Sequence, residues 1–163
     1  MKIQESEIIE TNDYRVIIYP ASRPFTAKES KAISEKLFDF LATWAAHGKP
    51  LDSSFKIEKN QFIIVCVDEE KEAASGCSID ALGRVMKALD AEFQLGFFDR
   101  MKASYIVDGE VKTVKLAAFK DGLKNGDIPK TIDVLDFSPS TYLNFLSNFS
   151  LPLEKSWASG YIS

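Results

Sequence analysis

The chain has 163 residues, of which 45% are hydrophobic and 27% are charged. This length suits one hydrophobic core, and the composition is too apolar for an intrinsically disordered chain. The formal net charge is −4, and the lysines and arginines are scattered among acids, which argues against a nucleic-acid or anionic-membrane surface. We therefore expect a single domain over residues 1–163, with no nucleic-acid or membrane partner.

The amino terminus and the apolar runs indicate a cytoplasmic protein. The first 12 residues carry three glutamates and no apolar core, unlike a signal peptide. The apolar run Phe62–Val67 is too short to span a bilayer. Cys66 lies inside this run and Cys77 is the only other cysteine, so we expect no structural disulfide.

The first half of the chain alternates strands with helices. The run RVIIY at 15–19 is rich in β-branched residues and predicts a buried strand. Thr26 and Glu29 have the spacing of a capping box, so a helix should begin there. Gly48 and Pro50 are expected to end this helix.

Two further strands and a second helix are expected next. Residues 55–59 alternate apolar and charged side chains as an edge strand does, whereas the run at 62–67 is apolar on both faces and should be central. A polar loop over 68–76 leads to a helix whose inner stripe extends from Ile79 to Phe93.

The second half begins with a predicted hairpin, because Asp108-Gly109 suits a two-residue turn with positive φ angles. The segments expected after the hairpin are a short helix around 117–124, a strand around 131–135, a helix opened by Ser138-Pro139, and an irregular aromatic tail over 151–163.

This order of elements predicts an α+β fold: a two-layer, ferredoxin-like split βαβ core followed by a C-terminal β-α-β-α extension. In that topology the first and third strands lie side by side in the interior of the sheet. The extension should cover the second face of the sheet, with Tyr142, Phe145, Phe149 and Trp157 as an aromatic lid.

Five segments carry a resemblance to a known family: WAAHGKPLDSSF, FIIVCVDE, ASGCSIDA, FDRM around Arg100, and the late KSW. Together they resemble a family of small bacterial proteins commonly labelled "ABC transporter ATPase", over nearly the whole chain. The WxxHGxPL and ASGCSID segments are the most specific. The resemblance implies no established activity.

The ATPase label predicts a glycine loop that ends in Gly-Lys-Ser/Thr and wraps the phosphates of the nucleotide. The only Gly-Lys pair, Gly48-Lys49, is followed by Pro50 instead of a hydroxyl residue. FIIVCVDE matches the apolar strand and acidic pair of such enzymes, but it precedes the ASGC segment, in the reverse of the order found in ABC ATPases. We expect neither ATPase activity nor a nucleotide cofactor.

The candidate site is the loop-to-helix junction Ser75-Gly76-Cys77-Ser78-Ile79-Asp80. Unpaired amides and the positive end of the helix dipole meet at a helix start. Ser75, Gly76 and Ser78 are therefore candidates for binding a small anion. A thiol at Cys77 would be favoured as thiolate, the nucleophilic form.

Two functions stay open at this junction. In the first, the domain has no catalytic role and binds a small anionic ligand or a protein partner. In the second, it is a cysteine-dependent enzyme, a thiol hydrolase or a redox protein, with Cys77 as nucleophile, His47 as base and Asp80 as the carboxylate. The competing structural interpretation makes Ser75 or Ser78 a helix cap and His47 a helix C-terminal residue.

No cofactor or metal is expected. Asp68-Glu69-Glu70 reads as the solvated end of a strand, and we expect Asp99-Arg100 to be a local ion pair of little energetic weight. The partner is expected to be an unidentified small molecule or protein, and a homo-oligomer stays open.

Overall fold

The structure, a computed structural model, describes residues 13–162 and has nine strands and four α-helices in that range. The strands are β1 (Arg15–Pro20), β2 (Ala45–Ala46), β3 (Lys49–Pro50), β4 (Asp52–Glu58), β5 (Phe62–Asp68), β6 (Lys102–Val107), β7 (Glu110–Lys115), β8 (Asp133–Leu135) and β9 (Ser150–Pro152). The helices are α1 (Ala27–Ala42), α2 (Gly76–Phe93), α3 (Leu116–Asn125) and α4 (Tyr142–Asn148), and two short 3-10 helices follow at Leu153–Lys155 and Ser159–Tyr161. The predicted α+β class is confirmed.

The first sheet has the strand order β1-β5-β4, with every pair antiparallel. As predicted, β5 is the central strand, because residues 62–67 are buried on both faces. β1 and β5 are neighbours, with Val16 opposite Cys66. These three strands have the order expected for a split βαβ core.

Among residues 13–162 this sheet has no fourth strand, so the ferredoxin-like part of the prediction is not confirmed. β6 belongs to a second sheet of order β7-β6-β8-β9, and β1 therefore lies at an edge and not in the interior. The Lys102 ammonium donates to the carbonyl of Pro20, so β6 begins where β1 ends. Pro20 also has no N–H to offer a fourth strand.

Apolar side chains cover both faces of the first sheet. On one face, Ile63 and Val65 belong to a buried cluster with Leu37 of α1 and Leu82 of α2. On the other face, Phe62, Ile64 and Cys66 lie in a cluster with Tyr142, Phe145 and Phe149. The C-terminal extension therefore covers the second face, as expected.

The tail is more ordered than predicted. β9 pairs with β8, and the Trp157 indole donates to the carbonyl of Leu135 at 3.0 Å. Trp157 packs 5.9 Å from the ring of Phe119 on α3, and not over the first sheet. Its place in the predicted aromatic lid was wrong, because Trp157 packs against the rings of Phe119 and Tyr161.

Two helix boundaries differ from prediction. α1 ends at Ala42, and a small hairpin of β2 and β3 follows, with His47 and Gly48 at its turn. α4 is capped by Thr141, whose side chain accepts from the amide of Asn144, so Ser138-Pro139 lies in the preceding loop. Within residues 13–162, no helix is both long and apolar enough to traverse a bilayer.

Candidate functional site

The predicted junction forms the start of α2, and its serines bond to each other. The Ser75 hydroxyl accepts from the Ser78 amide at 3.1 Å, and the Ser78 hydroxyl donates to the Ser75 carbonyl at 2.8 Å. Gly76 is the first residue of the helix, and Cys77 is exposed. The serines therefore act as a helix cap, which leaves them little capacity to hold a ligand.

His47 lies at the tip of the β2-β3 hairpin with a φ of 53°, exposed to solvent. The structural alternative that placed it at a helix C-terminus was wrong, because α1 ends five residues earlier. The Trp44 indole donates to the carbonyl of Ser78 at 2.8 Å, which holds the start of the hairpin against the first turn of α2.

This contact places the His47 hairpin on the same edge of the domain as Cys77 and Asp80. In the part of the chain that the structure describes, no hydrogen bond or ion pair joins these three side chains. Asp80 is exposed to solvent. The structure thus positions the three predicted catalytic residues near one helix end without connecting them.

The surface between the hairpin and the loop before α2 is acidic. A shallow cavity of about 210 Å³ is lined there by Pro50, Leu51, Asp52, Asp68, Lys71 and Glu72. Three carboxylates and one ammonium line this cavity, and the Lys49 ammonium lies 3.8 Å from Glu72, so the remaining charge is negative and disfavours an anionic ligand. Among residues 13–162, no group of three histidine, cysteine, aspartate or glutamate side chains is arranged to hold a metal ion.

A larger cleft, of about 400 Å³, opens at the free edge of β1. Its lining consists of Ile18, Tyr19, Pro20, Phe97, Phe98, Asp99, Arg100, Lys102 and Phe137. This cleft combines aromatic walls with a few charged groups, the usual character of ligand-binding sites.

Aromatic rings form both walls of the cleft. On the helix-covered side, Tyr19 packs edge-on against Phe97 at 6.3 Å and against Phe98 at 6.1 Å. On the opposite side, Phe137 stacks on Phe62 at 5.3 Å. The Phe98 side chain is 43% exposed, so the cleft presents a solvent-accessible apolar surface.

Lys102 is a buried cation in the lining. Its ammonium donates to the carbonyl of Pro20 at 2.6 Å, to the Ser22 hydroxyl at 3.1 Å and to the carbonyl of Gly96. Burial lowers the pKa of Lys102 to about 8, although the negative charges of Asp99 and Asp90 act in the opposite direction. Because all three protons have acceptors, Lys102 offers a ligand charge but no free donor.

The loop after α2, which forms one rim of the cleft, is held by a single carboxylate. Asp90 Oδ1 accepts from the amides of Leu95, Gly96 and Phe97. Gly96 has a φ of 75°, a left-handed conformation that favours glycine. The rim is therefore ordered by contacts that do not depend on a ligand.

Arg100 is the second cation in the described lining of the cleft. The predicted ion pair with Asp99 does not form within residues 13–162; the Asp99 carboxylate accepts instead from the amide of Met101 at 2.9 Å. Within residues 13–162, the Arg100 guanidinium has no hydrogen-bond or ion-pair partner. The sequence analysis did not predict this site. The signals that could have indicated it were the mixed aromatic and charged segment FFDRMK at 97–102 and the proline that ends β1.

Comparison with known proteins adds no relative to this description: no family model, no curated protein and no solved structure matches the chain. The function of the chain is therefore inferred from the geometry of the cleft and of the α2 junction.

Proposed function

We propose that this cytoplasmic protein binds an anionic ligand, a carboxylate with an apolar or aromatic body, in the cleft at the edge of β1. The observation that carries the proposal is the position of Arg100, which lines an aromatic-walled cleft and has no acidic partner among residues 13–162. A guanidinium presents paired N–H donors that match a carboxylate.

The charge of the lining supports an anion. Arg100 and Lys102 are cationic, and Asp99 is the one carboxylate among the lining residues that the structure describes. Lys102 is mostly protonated at pH 7, since its pKa is about 8. The aromatic walls would exclude water from the ligand's apolar body and strengthen the charge interaction.

The cleft is a better candidate than the predicted junction at residues 75–80. Both serines of the junction bond to each other, and the adjacent cavity is acidic. The cleft has neither obstacle. The expected partner is still an unidentified small molecule or a protein segment, but the proposed binding site is the cleft and not residues 75–80.

A cysteine-dependent enzyme is the second candidate, because Cys77 is exposed and the hairpin that carries His47 packs against the same helix turn. Catalysis needs a base within hydrogen-bond reach of the thiol, and His47 makes no such contact here. A test is to measure hydrolysis of a thioester probe by the protein and by Cys77→Ser. Equal rates would exclude the cysteine as nucleophile.

The binding proposal is tested by titrating the protein with phenylpropionate and with its neutral amide, and by following backbone amide signals by NMR. We expect shifts at the cleft with the acid and at least tenfold weaker binding of the amide. Loss of a charged hydrogen bond costs about 1.5–3 kcal/mol, and about 1.4 kcal/mol is tenfold.

Arg100→Gln should weaken phenylpropionate binding at least tenfold, because it removes the guanidinium and keeps a polar side chain. Arg84→Gln is the matched control, since Arg84 is an exposed arginine on α2 outside the cleft lining. Equal affinities for Arg100→Gln and Arg84→Gln, or the absence of shifts at the cleft, would contradict the proposal.

A further inference from the structure

The backbone of Ile18 faces the cleft. The amide of Val16 donates away from β5, to the carbonyl of Ser140, whereas the amide of Ala21 donates toward β5, to the carbonyl of Gln61. Backbone groups alternate between the two sides of a strand. The N–H and C=O of Ile18 therefore point away from β5, toward the open edge, where none of residues 13–162 pairs with them.

Both ends of this open edge are closed. At one end, Ser140 accepts from Val16, and the amide of Tyr142 donates to the carbonyl of Tyr14. At the other end, the carbonyl of Pro20 accepts from the Lys102 ammonium. Only the backbone groups of about one residue of β1 are left free among residues 13–162. This length is too short for a peptide that continues past both ends of the edge.

The walls of the cleft lie on both faces of the sheet beside this edge. Tyr19 and Phe98 lie on the helix-covered face, and Ile18 and Phe137 lie on the opposite face. Side chains of a strand alternate between the two faces. An extended chain at this edge would therefore place successive side chains against aromatic surfaces on either side.

We infer that the natural ligand is the carboxyl-terminal segment of a polypeptide, added to β1 as a short strand with its terminal carboxylate on Arg100. This inference rests on the proposed function and identifies the ligand's carboxylate as the carboxyl terminus of a polypeptide. Strand addition supplies backbone bonds to Ile18, and charge complementarity at Arg100 favours a chain end with a free carboxylate. Because both ends of this edge are bonded, too little ladder is free to pair with the sheet edge of a second folded copy.

The probe is the tripeptide acetyl-Ala-Val-Phe with a free carboxyl terminus, compared with its carboxyl-terminal amide and with phenylpropionate. We expect the free acid to bind at least tenfold more tightly than either comparison ligand. Hydrogen exchange of the Ile18 amide should slow in the complex by at least tenfold, because that amide gains an acceptor.

Ile18→Pro tests the backbone bond from the protein side. It removes an N–H that the β1-β5 ladder does not use, and Pro20 already occupies the equivalent edge position. Ile18→Ala is the control, because it shortens the side chain and keeps the N–H. We expect Ile18→Pro to weaken tripeptide binding at least tenfold relative to Ile18→Ala, and the two variants to bind phenylpropionate with the same affinity as each other. If Ile18→Pro does not fold, N-methylation of the peptide amides tests the same bonds.

The possible results separate the two proposals. If phenylpropionate binding depends on Arg100 but the free-acid tripeptide binds no more tightly, or Ile18→Pro and Ile18→Ala behave alike, the peptide inference is overturned and the carboxylate site stands. If neither ligand binds, both proposals are overturned.

Discussion

Gly96 should be the least replaceable glycine of the cleft rim. Its φ is 75°, and a Cβ at this position would lie 2.2 Å from the Ser22 hydroxyl oxygen. The left-handed backbone costs a non-glycine residue about 1–2 kcal/mol. Overpacking adds about 1–3 kcal/mol. We expect Gly96→Ala to lower the free energy of unfolding by about 2–5 kcal/mol.

Two comparison variants separate the backbone cost from the steric cost. Gly126 has a φ of 87° and nothing within 4 Å of an added Cβ, so Gly126→Ala should cost only the backbone term of about 1–2 kcal/mol. Ser22→Gly removes the side chain that the new methyl group would meet. In that background, the cost of Gly96→Ala should fall to about 1–2 kcal/mol.

The assay is urea unfolding at pH 7 followed by circular dichroism, with the free energy taken from the midpoint and the slope. Gly96→Ala, Ser22→Gly and the double variant form a cycle. The double variant should be about 1–3 kcal/mol more stable than the sum of the two single effects predicts. The clash between Gly96→Ala and Ser22 is contradicted if Gly96→Ala costs no more stability than Gly126→Ala, or if Ser22→Gly leaves the cost of Gly96→Ala unchanged.

Three further measurements test other features. Between about pH 8 and 10.5 the unfolded chain binds more protons at Lys102 than the native state does. The free energy of unfolding should therefore rise with pH in this range by on the order of 1–3 kcal/mol. In urea unfolding, Lys102→Met should abolish that rise. The hydrogen bonds from Arg23 lower the pKa of Glu29 to about 2. As pH falls from about 4.5 to 2, the protein should lose about 1 kcal/mol of stability, a value that allows for screening of the half-exposed guanidinium. Acid titration of Glu29→Gln should lack this loss. Iodoacetamide labelling of the folded protein, read by peptide mass, should modify Cys77 and spare the buried Cys66; labelling of Cys66 first would contradict the described packing.

Local features of this fold were predictable because neighbouring residues determine them. The Thr26–Glu29 capping box forms with both of its hydrogen bonds, and the hairpin turn at Asp108-Gly109 has the expected positive φ angles of 52° and 78°. Residues 62–67 form the central strand of the first sheet, since a run apolar on both faces must be covered on both.

Pairings between distant segments were not predictable from the same patterns. Gly48 and Pro50 suit a helix end and a tight hairpin turn equally well, and the bond from Trp44 to Ser78 favours the hairpin. β6 pairs with β7 and β8 and not with β1, and its Lys102 side chain bonds instead to the carbonyl of Pro20, 82 positions away. No local pattern specifies such a contact.

The candidate cleft shows the same limit. Its lining comes from three segments, at 18–20, 97–102 and 137, that only the tertiary structure brings together. Sequence reasoning chose the α2 junction because a cysteine at a helix start is a local pattern. An arginine without a partner has no local signature, and its significance depends on the neighbours that the fold supplies.

The order of the rim loop has a consequence for the kinetics of binding. The three amides held by Asp90 and the carbonyl of Gly96 held by Lys102 are already bonded in the free protein. A ligand therefore meets a surface that does not have to rearrange, and its association rate is set by diffusion and by orientation. Ligands of different fit would enter the cleft at similar rates and differ in how long they stay.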